Sequence, residues 1–195
     1  MLAYVFWHRP RAGTDVAEYE QAQLAFHASL RRTPPAGMRG SVVFRVQGLP
    51  WLEPAGDGES AYEDWYLLED YAALGVLGEA AVGHGHRTAH DRAASAYGIG
   101  AGGLYGLVEG SAEASPLEAA TLAAWVAREP GAPRRELEDL LADGIDPRQA
   151  SLWRRQLVLG PAPEFCLLSR EPAPGTQVTR LPAGWSSQVL ERTAL

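Results

Sequence analysis

Apolar positions along the chain switch repeatedly between a period of two and a period near 3.6. Leu2 to His8 is rich in β-forming residues and is stopped by Pro10, which predicts a first strand. Thr14 or Asp15 can then cap a helix in which Val16, Tyr19, Phe26 and Leu30 recur at helical spacing. Glu18, Glu20, Gln21 and Gln23 take its other side. That helix has to end before Pro34-Pro35. Residues 38 to 48 return to alternation, with Val42, Phe44 and Val46 opposite Val43, Arg45 and Gln47. Beyond an exposed loop from Pro54 to Ser60, a third strand sets Tyr62, Asp64, Tyr66 and Leu68 against Glu63, Trp65, Leu67 and Glu69. Residues 71 to 97 are alanine-rich and helical in composition. Gly75, Gly78, Gly83 and Gly85 each cost about 1 kcal/mol relative to alanine, so two helical pieces are expected with a break near Gly83 to Gly85. Leu104 to Glu109 gives a fourth strand. The order strand, helix, strand, strand, helix, strand is the split βαβ, or ferredoxin-like, arrangement.

Small, acidic residues from 111 to 118 read as a linker between a first unit, 1–110, and a second, 119–195. Leu122-Ala-Ala-Trp-Val-Ala-Arg-Glu-Pro130 set against Leu2-Ala-Tyr-Val-Phe-Trp-His-Arg-Pro10 shares Leu, Ala and Pro at a constant offset. A short helix over 133–141 and a hairpin of 152–159 with 164–170 follow. Two short strands, 177–181 and 185–190, are all that the remaining residues allow, so the second unit is expected to be a reduced copy. The fold class is α+β, built from two ferredoxin-like units.

A four-stranded sheet with helices on one face leaves the other face apolar, and that face must be buried. The element order, the aromatic strand Tyr4-Val5-Phe6-Trp7-His8 and the strand Tyr62-Glu-Asp-Trp-Tyr-Leu-Leu-Glu69 running straight into a helix resemble the dimeric α/β-barrel superfamily. In that group two such sheets pack face to face. The resemblance implies a cavity for a small organic ligand. Cofactor-independent monooxygenases and small isomerases are among the group's activities, and haem-binding proteins are another branch. It leaves open whether the barrel closes within one chain or between two.

Composition narrows the partners. A formal net charge of −7, with no basic module in either half, argues against nucleic acid. The apolar run Leu2 to Trp7 is too short for a signal-peptide core or a membrane span, and a lone Cys166 in an apolar context reads as a buried small residue. A cytoplasmic protein that meets a small molecule, and not a membrane, is therefore expected, with homodimerisation open. Every basic side chain is arginine, because the sequence contains no lysine. Schiff-base chemistry and a phosphate-loop lysine are thereby excluded.

Three constellations could carry chemistry. Tyr4, Phe6 and His8 share one face of the first strand, Arg45 and Gln47 one face of the second, Asp64 and Tyr66 one face of the third. If these faces meet inside the barrel, His8, Arg45 and Tyr66 are the candidate catalytic anchors and Tyr4, Phe6 and Asp64 the ligand-binding residues, suited to an aromatic or enolic ligand. Alternatively the aromatics are simply core. Arg45 is the cation to expect beneath an anionic ligand. Second, His84, His86 and His90 lie within seven residues, and His86 and His90 are one helical turn apart. Haem or a divalent metal is the alternative to a reading without cofactor, with Asp91 as orienting group, and exposed helix-end histidines are the plainer reading. Third, Gly98-Ile-Gly-Ala-Gly-Gly103 matches a dinucleotide fingerprint in letters, but it follows a helix instead of a strand and reads as a helix cap and a close backbone approach. Trp125, Trp153 and Trp185 read as core or interface, and Arg134-Arg135 and Arg154-Arg155 as solvated surface. The leading expectation is a ligand-binding barrel, with a non-catalytic homo-oligomer and a haem or metal protein as rivals. A roomy cavity with convergent polar groups favours the first and a filled barrel the second.

Overall fold

The computed structural model describes residues 1–195 other than 53–59, 84, 114–116, 130, 132–134, 136–138, 140, 142–145, 147–148, 159–162, 171–180 and 182. The elements in chain order are β1 (Leu2–Pro10), α1 (Val16–Arg32), β2 (Met38–Gln47), β3 (Ser60–Leu68), α2 (Tyr71–Ala81), α3 (Arg87–Ala94), β4 (Tyr97–Gly110), β5 (Leu122–Arg128), β6 (Ala150–Val158), β7 (Phe165–Ser169) and β8 (Trp185–Ala194). All pair antiparallel in a closed barrel of order β1-β3-β2-β8-β5-β7-β6-β4. Within it, β4-β1-β3-β2 and β8-β5-β7-β6 are the same ferredoxin-like order twice. The barrel closes within one chain.

Local chemistry accounts for the element ends. Asp15 caps α1 by accepting from the Glu18 amide at 2.9 Å, and Asp70 caps α2 by accepting from the Ala73 amide at 2.9 Å. The apolar stripe of α1 is Tyr19, Phe26 and Leu30, but Val16 at its start is exposed, and Gln23 and His27 are buried beside the stripe. The glycine-broken segment does split, between α2 and α3.

Two expectations require correction. The segment Gly98 to Gly103 lies inside β4, paired with β1, so it is no helix cap. The close-approach half of that reading is met: a Cβ on Gly100 would lie 2.5 Å from the Phe6 ring, and one on Gly102 would lie 2.7 Å from the Tyr4 hydroxyl. In the second half, β8 runs on to Ala194, and its last residues pair with β2 to close the barrel. The second unit therefore keeps four strands. The proposed strand 177–181 and most of the helix 133–141 lie outside the described residues.

The barrel interior is filled. Ala3, Val5 and Trp7 of β1, Val42, Phe44 and Val46 of β2, Trp65 and Leu67 of β3, Trp125 of β5, Trp153 of β6 and Cys166 of β7 make one buried cluster. The opposite faces of β1 to β4 are covered by α1, α2 and α3, where Leu2, Phe26, Leu30, Tyr66, Leu68, Leu77, Ala93 and Leu104 form a second core. No described helix is long and apolar enough to cross a membrane.

Candidate functional site

Alternation along β3 decides which side chains meet. Since successive residues of a strand point to opposite faces, Glu63, Trp65 and Leu67 enter the barrel while Tyr62, Asp64 and Tyr66 face the helices. On β1 the matching face presents Tyr4, Phe6 and His8. The cross-strand register sets Tyr4 opposite Tyr66, Phe6 opposite Asp64 and His8 opposite Tyr62. The expected faces of β1 and β3 do coincide, but outside the barrel and under the helices.

Asp64 is the centre of this layer. It is fully buried, and an imidazole stands on either side of it along the strand. His8 stacks on Tyr62 at 5.5 Å between ring centroids and His27 stacks on Tyr66 at 5.1 Å. His8 Nε2 lies 3.1 Å and His27 Nε2 3.6 Å from Asp64 Oδ1, while the Tyr66 hydroxyl donates to Oδ2 at 3.1 Å. The other ring nitrogens are hydrogen-bonded. His8 Nδ1 is bonded to the Tyr19 hydroxyl, and His27 Nδ1 lies 2.8 Å from Ser41 Oγ. The tautomer in which Nδ1–H donates to the Tyr19 or Ser41 hydroxyl leaves Nε2 of the ring turned toward Asp64 without a hydrogen of its own.

Burial opposes the charge on Asp64, but the fields and contacts of His8 and His27 outweigh it and hold the carboxyl well below the usual aspartate range. The same anion reaches every nearby phenol. Burial raises the Tyr4, Tyr66 and Tyr97 hydroxyls above the ordinary tyrosine value, and the Asp64 charge adds to the effect in each. These tyrosines are therefore neutral donors under all ordinary conditions.

Beside this network lies a cavity of about 430 Å³, within the size range of small-molecule sites. Tyr4, Phe6, Phe26, Tyr66 and Tyr97 wall it with aromatic rings, and Leu74, Leu77, Gly78 and Ala81 of α2 and His90 of α3 complete it. The absent side chains of Gly100 and Gly102 leave the space that the Phe6 and Tyr4 rings occupy. Tyr66 is the one side chain that both lines the cavity and bonds to Asp64. His90 meets Phe26 edge-on at 5.5 Å, and its Nδ1 lies 3.0 Å from Asp91 Oδ1, which lowers the exposed Asp91 carboxyl.

The other expected site residues fall elsewhere. Arg45 is at the exposed rim, where its Nε donates to Glu20 at 2.7 Å, and the Tyr62 hydroxyl donates to the same Glu20 oxygen at 2.9 Å. It lines no part of the cavity, because its position on β2 lies past the aromatic layer, and none of the lining side chains is an arginine. His86 turns away from His90: it is buried, its Nδ1 lies 3.1 Å from Ser29 Oγ, and it lines a separate groove with Pro34, Pro35 and Val76. His84 lies outside the described residues. Among the described residues no group of three or more His, Cys, Asp or Glu is placed to hold a metal ion. His8 and His27 approach one carboxylate oxygen from two sides, which suits a shared proton better than a shared ion.

His27, Tyr19, Ser41 and Tyr97 are members of the layer that the sequence did not mark as site residues, Tyr19 having been read only as part of the apolar stripe of α1. His27 follows Phe26 on the apolar side of α1, and a histidine at such a position was the available signal.

No protein-family model matches the sequence, and no curated protein does. Solved structures do. A candidate monooxygenase from Fusobacterium nucleatum subsp. nucleatum superposes with a TM-score of 0.61 at 10% identity, over 100% of this chain and 92% of that one. The fold is that of the dimeric α/β-barrel proteins. A candidate monooxygenase from Lactobacillus acidophilus NCFM gives 0.55 at 9% identity over 100% and 98% of the two chains. An anthrone oxidase-like protein gives 0.53 at 11% over 98% and 91%. The α/β-barrel likeness spans both halves of the chain.

Proposed function

We propose that this chain binds a neutral, flat aromatic or enolic molecule in the helix-covered cavity and removes a proton from it, so that the resulting anion reacts with dioxygen without a bound cofactor. The observation that carries this reading is Tyr66, a residue of the cavity wall whose hydroxyl donates to a buried, imidazole-flanked carboxylate. A ligand hydroxyl that donates to the Tyr66 oxygen would pass its proton there as Tyr66 passes its own to Asp64. Asp64 would yield it to the flanking imidazole, leaving a carboxylate–imidazolium pair behind the cavity and an anion within it. The enolate carbon then gives its electron pair to dioxygen. Protonation gives a hydroperoxide, and loss of water gives a ketone, so that overall a CH₂ group and O₂ become C=O and H₂O. His90, oriented by Asp91, is placed on the helix side of the same cavity to hand protons to the departing oxygen.

Neutrality of the ligand follows from the electrostatics. A cavity with no cationic wall, five aromatic faces and an anion behind it repels a carboxylate or phosphate. The likeness to an anthrone oxidase-like protein suggests anthrone, a neutral fused aromatic ketone, as the first probe.

Anthrone and a set of neutral naphthols should bind saturably, and at least one should consume dioxygen with formation of the ketone or quinone. Tyr66→Phe should leave binding within a few-fold and lower turnover by about 10²- to 10⁴-fold. No saturable binding across the set, or full turnover in Tyr66→Phe, overturns the proposal. Product formation without oxygen uptake would instead mark an isomerase that returns the proton to a different carbon.

A further inference from the structure

The barrel interior holds an arrangement that packing alone does not require. Trp51 lies 5.6 Å from Trp7 and 5.4 Å from Trp125 between ring centroids, and Trp7 and Trp125 are 5.2 Å apart. Trp65 continues the chain at 6.0 Å from Trp125 and leads to Trp153 at 5.7 Å. Five indoles are thus in continuous edge or face contact. A fully buried carboxylate, Glu63, gathers three of them: the indole N–H of Trp125 donates to it at 2.9 Å, that of Trp7 at 3.3 Å and that of Trp65 at 3.4 Å. Its charge is balanced by Arg192, also fully buried, whose Nε is 3.3 Å from Glu63 and whose guanidinium lies 3.5 Å over the Phe44 ring. Among the described residues none of the three guanidinium nitrogens has a hydrogen-bond partner, so Arg192 serves there as a charge and not as a donor. Apolar residues of similar volume generally hold a core as well as a buried ion pair does or better, so stability does not explain the pair.

We propose that these indoles form a one-electron relay, with Glu63 as its proton acceptor, that carries oxidising equivalents from the cavity to the surface at Trp51. An indole that loses an electron becomes a strongly acidic radical cation. At Trp7, Trp65 and Trp125 the N–H proton has an acceptor already bonded to it, so the electron leaves to the oxidant, the proton passes to Glu63, and a neutral indolyl radical remains. Burial raises the Glu63 carboxyl above its usual range, which favours its taking that proton. Return is the reverse: a thiol or ascorbate in solution supplies an electron, and Glu63 gives the proton back. The entry lies at the sheet, where Trp65 and Tyr66 are successive residues on opposite faces of β3. The exit lies at Trp51, half-buried, whereas Trp7, Trp65, Trp125 and Trp153 are at most 1% exposed. The physiological source of the oxidant, a radical formed when the ligand anion meets dioxygen, rests on the oxygenation reading above. The relay itself does not.

Azide radicals generated by pulse radiolysis oxidise tryptophan in the full-length protein without any cavity ligand. The expected product is a neutral indolyl radical, re-reduced by ascorbate at a rate that falls several-fold in Trp51→Phe. In folded Glu63→Gln the radical should persist as the protonated cation, visible in its optical and electron-spin spectra. Should Glu63→Gln not fold, Trp51→Phe decides alone when parent and variant both carry Trp185→Phe, which removes the half-buried indole outside the chain of five. Equal re-reduction in Trp51→Phe and the parent shows core packing only and overturns the relay, as does an unchanged radical in folded Glu63→Gln. Anthrone inertness with these kinetics intact would remove the cavity reading and leave the relay standing.

Discussion

A buried aspartate persists as an anion only where its neighbours replace the hydration it has lost. For Asp64 that replacement is two imidazoles and one phenol, and it has a thermodynamic signature. A carboxyl with a depressed folded-state value contributes stability above its unfolded value, near 3.9, and loses it as pH falls toward the folded one. Unfolding free energy should therefore drop on acidification below about pH 4, and Asp64→Asn should flatten that limb in denaturant titrations at stepped pH. An unchanged slope in Asp64→Asn would mean the imidazoles do not hold the charge. Asp64→Ala, which strands two imidazoles in the interior, should cost about 3–5 kcal/mol. Glu63 has the opposite sign: its raised value means that its ionisation weakens the fold as pH climbs, so the two buried acids must be separated by mutation and not by pH alone.

At the level of elements, the two faces of β3 were legible from Tyr62 to Leu68, with phenols and Asp64 on one and Glu63, indole and leucine on the other, although the strand already begins at Ser60. What alternation could not supply was the phase between strands. A shift of one residue exchanges inside for outside, and the aromatic face, which the sequence could set inside the barrel only on condition that the three strands' faces meet there, lies under the helices. The start of β4 was hidden for a different reason. Glycine is disfavoured in strands by its entropy, so Gly98 to Gly103 carried no strand signal. Gly100 and Gly102 are tolerated there because Phe6 and Tyr4 fill the space above them. Gly100→Ala and Gly102→Ala should each cost about 1–3 kcal/mol through overpacking. They should also displace the rings that line the cavity and weaken anthrone binding, while a surface change such as Val189→Ala should do neither. Retained affinity in folded Gly102→Ala would place the ligand elsewhere.

For the whole molecule the decisive contact is the seam between β2 and β8, where Phe44, Arg45 and Val46 pair with Ala194, Thr193 and Arg192. The seam carries one half of the internal ion pair, so closing the barrel and neutralising Glu63 are one event. Removing a single partner, as in Arg192→Met, should lower stability by about 3–5 kcal/mol, whereas Arg192→Met with Glu63→Leu should recover most of the loss or exceed the parent. A double variant no more stable than Arg192→Met would show that the pair is required for the barrel itself. The sequence disclosed β8 only as the short strand 185–190, because its polar residues Ser186, Ser187, Gln188 and Glu191 carry a weak apolar signal. The long-range pairing to β2 is not a local property of either segment.

Closure within one covalent chain has a consequence in mass action. A barrel assembled from two separate chains exists only above its dissociation constant, and whatever its sheets hold in place is lost when the protein is dilute. Here the second sheet is tethered to the first, so the order of β1 to β4, the glycine-made recess and the Asp64 layer above it do not wait on an encounter. The sheet-to-sheet contact is intramolecular and present at any concentration of the chain.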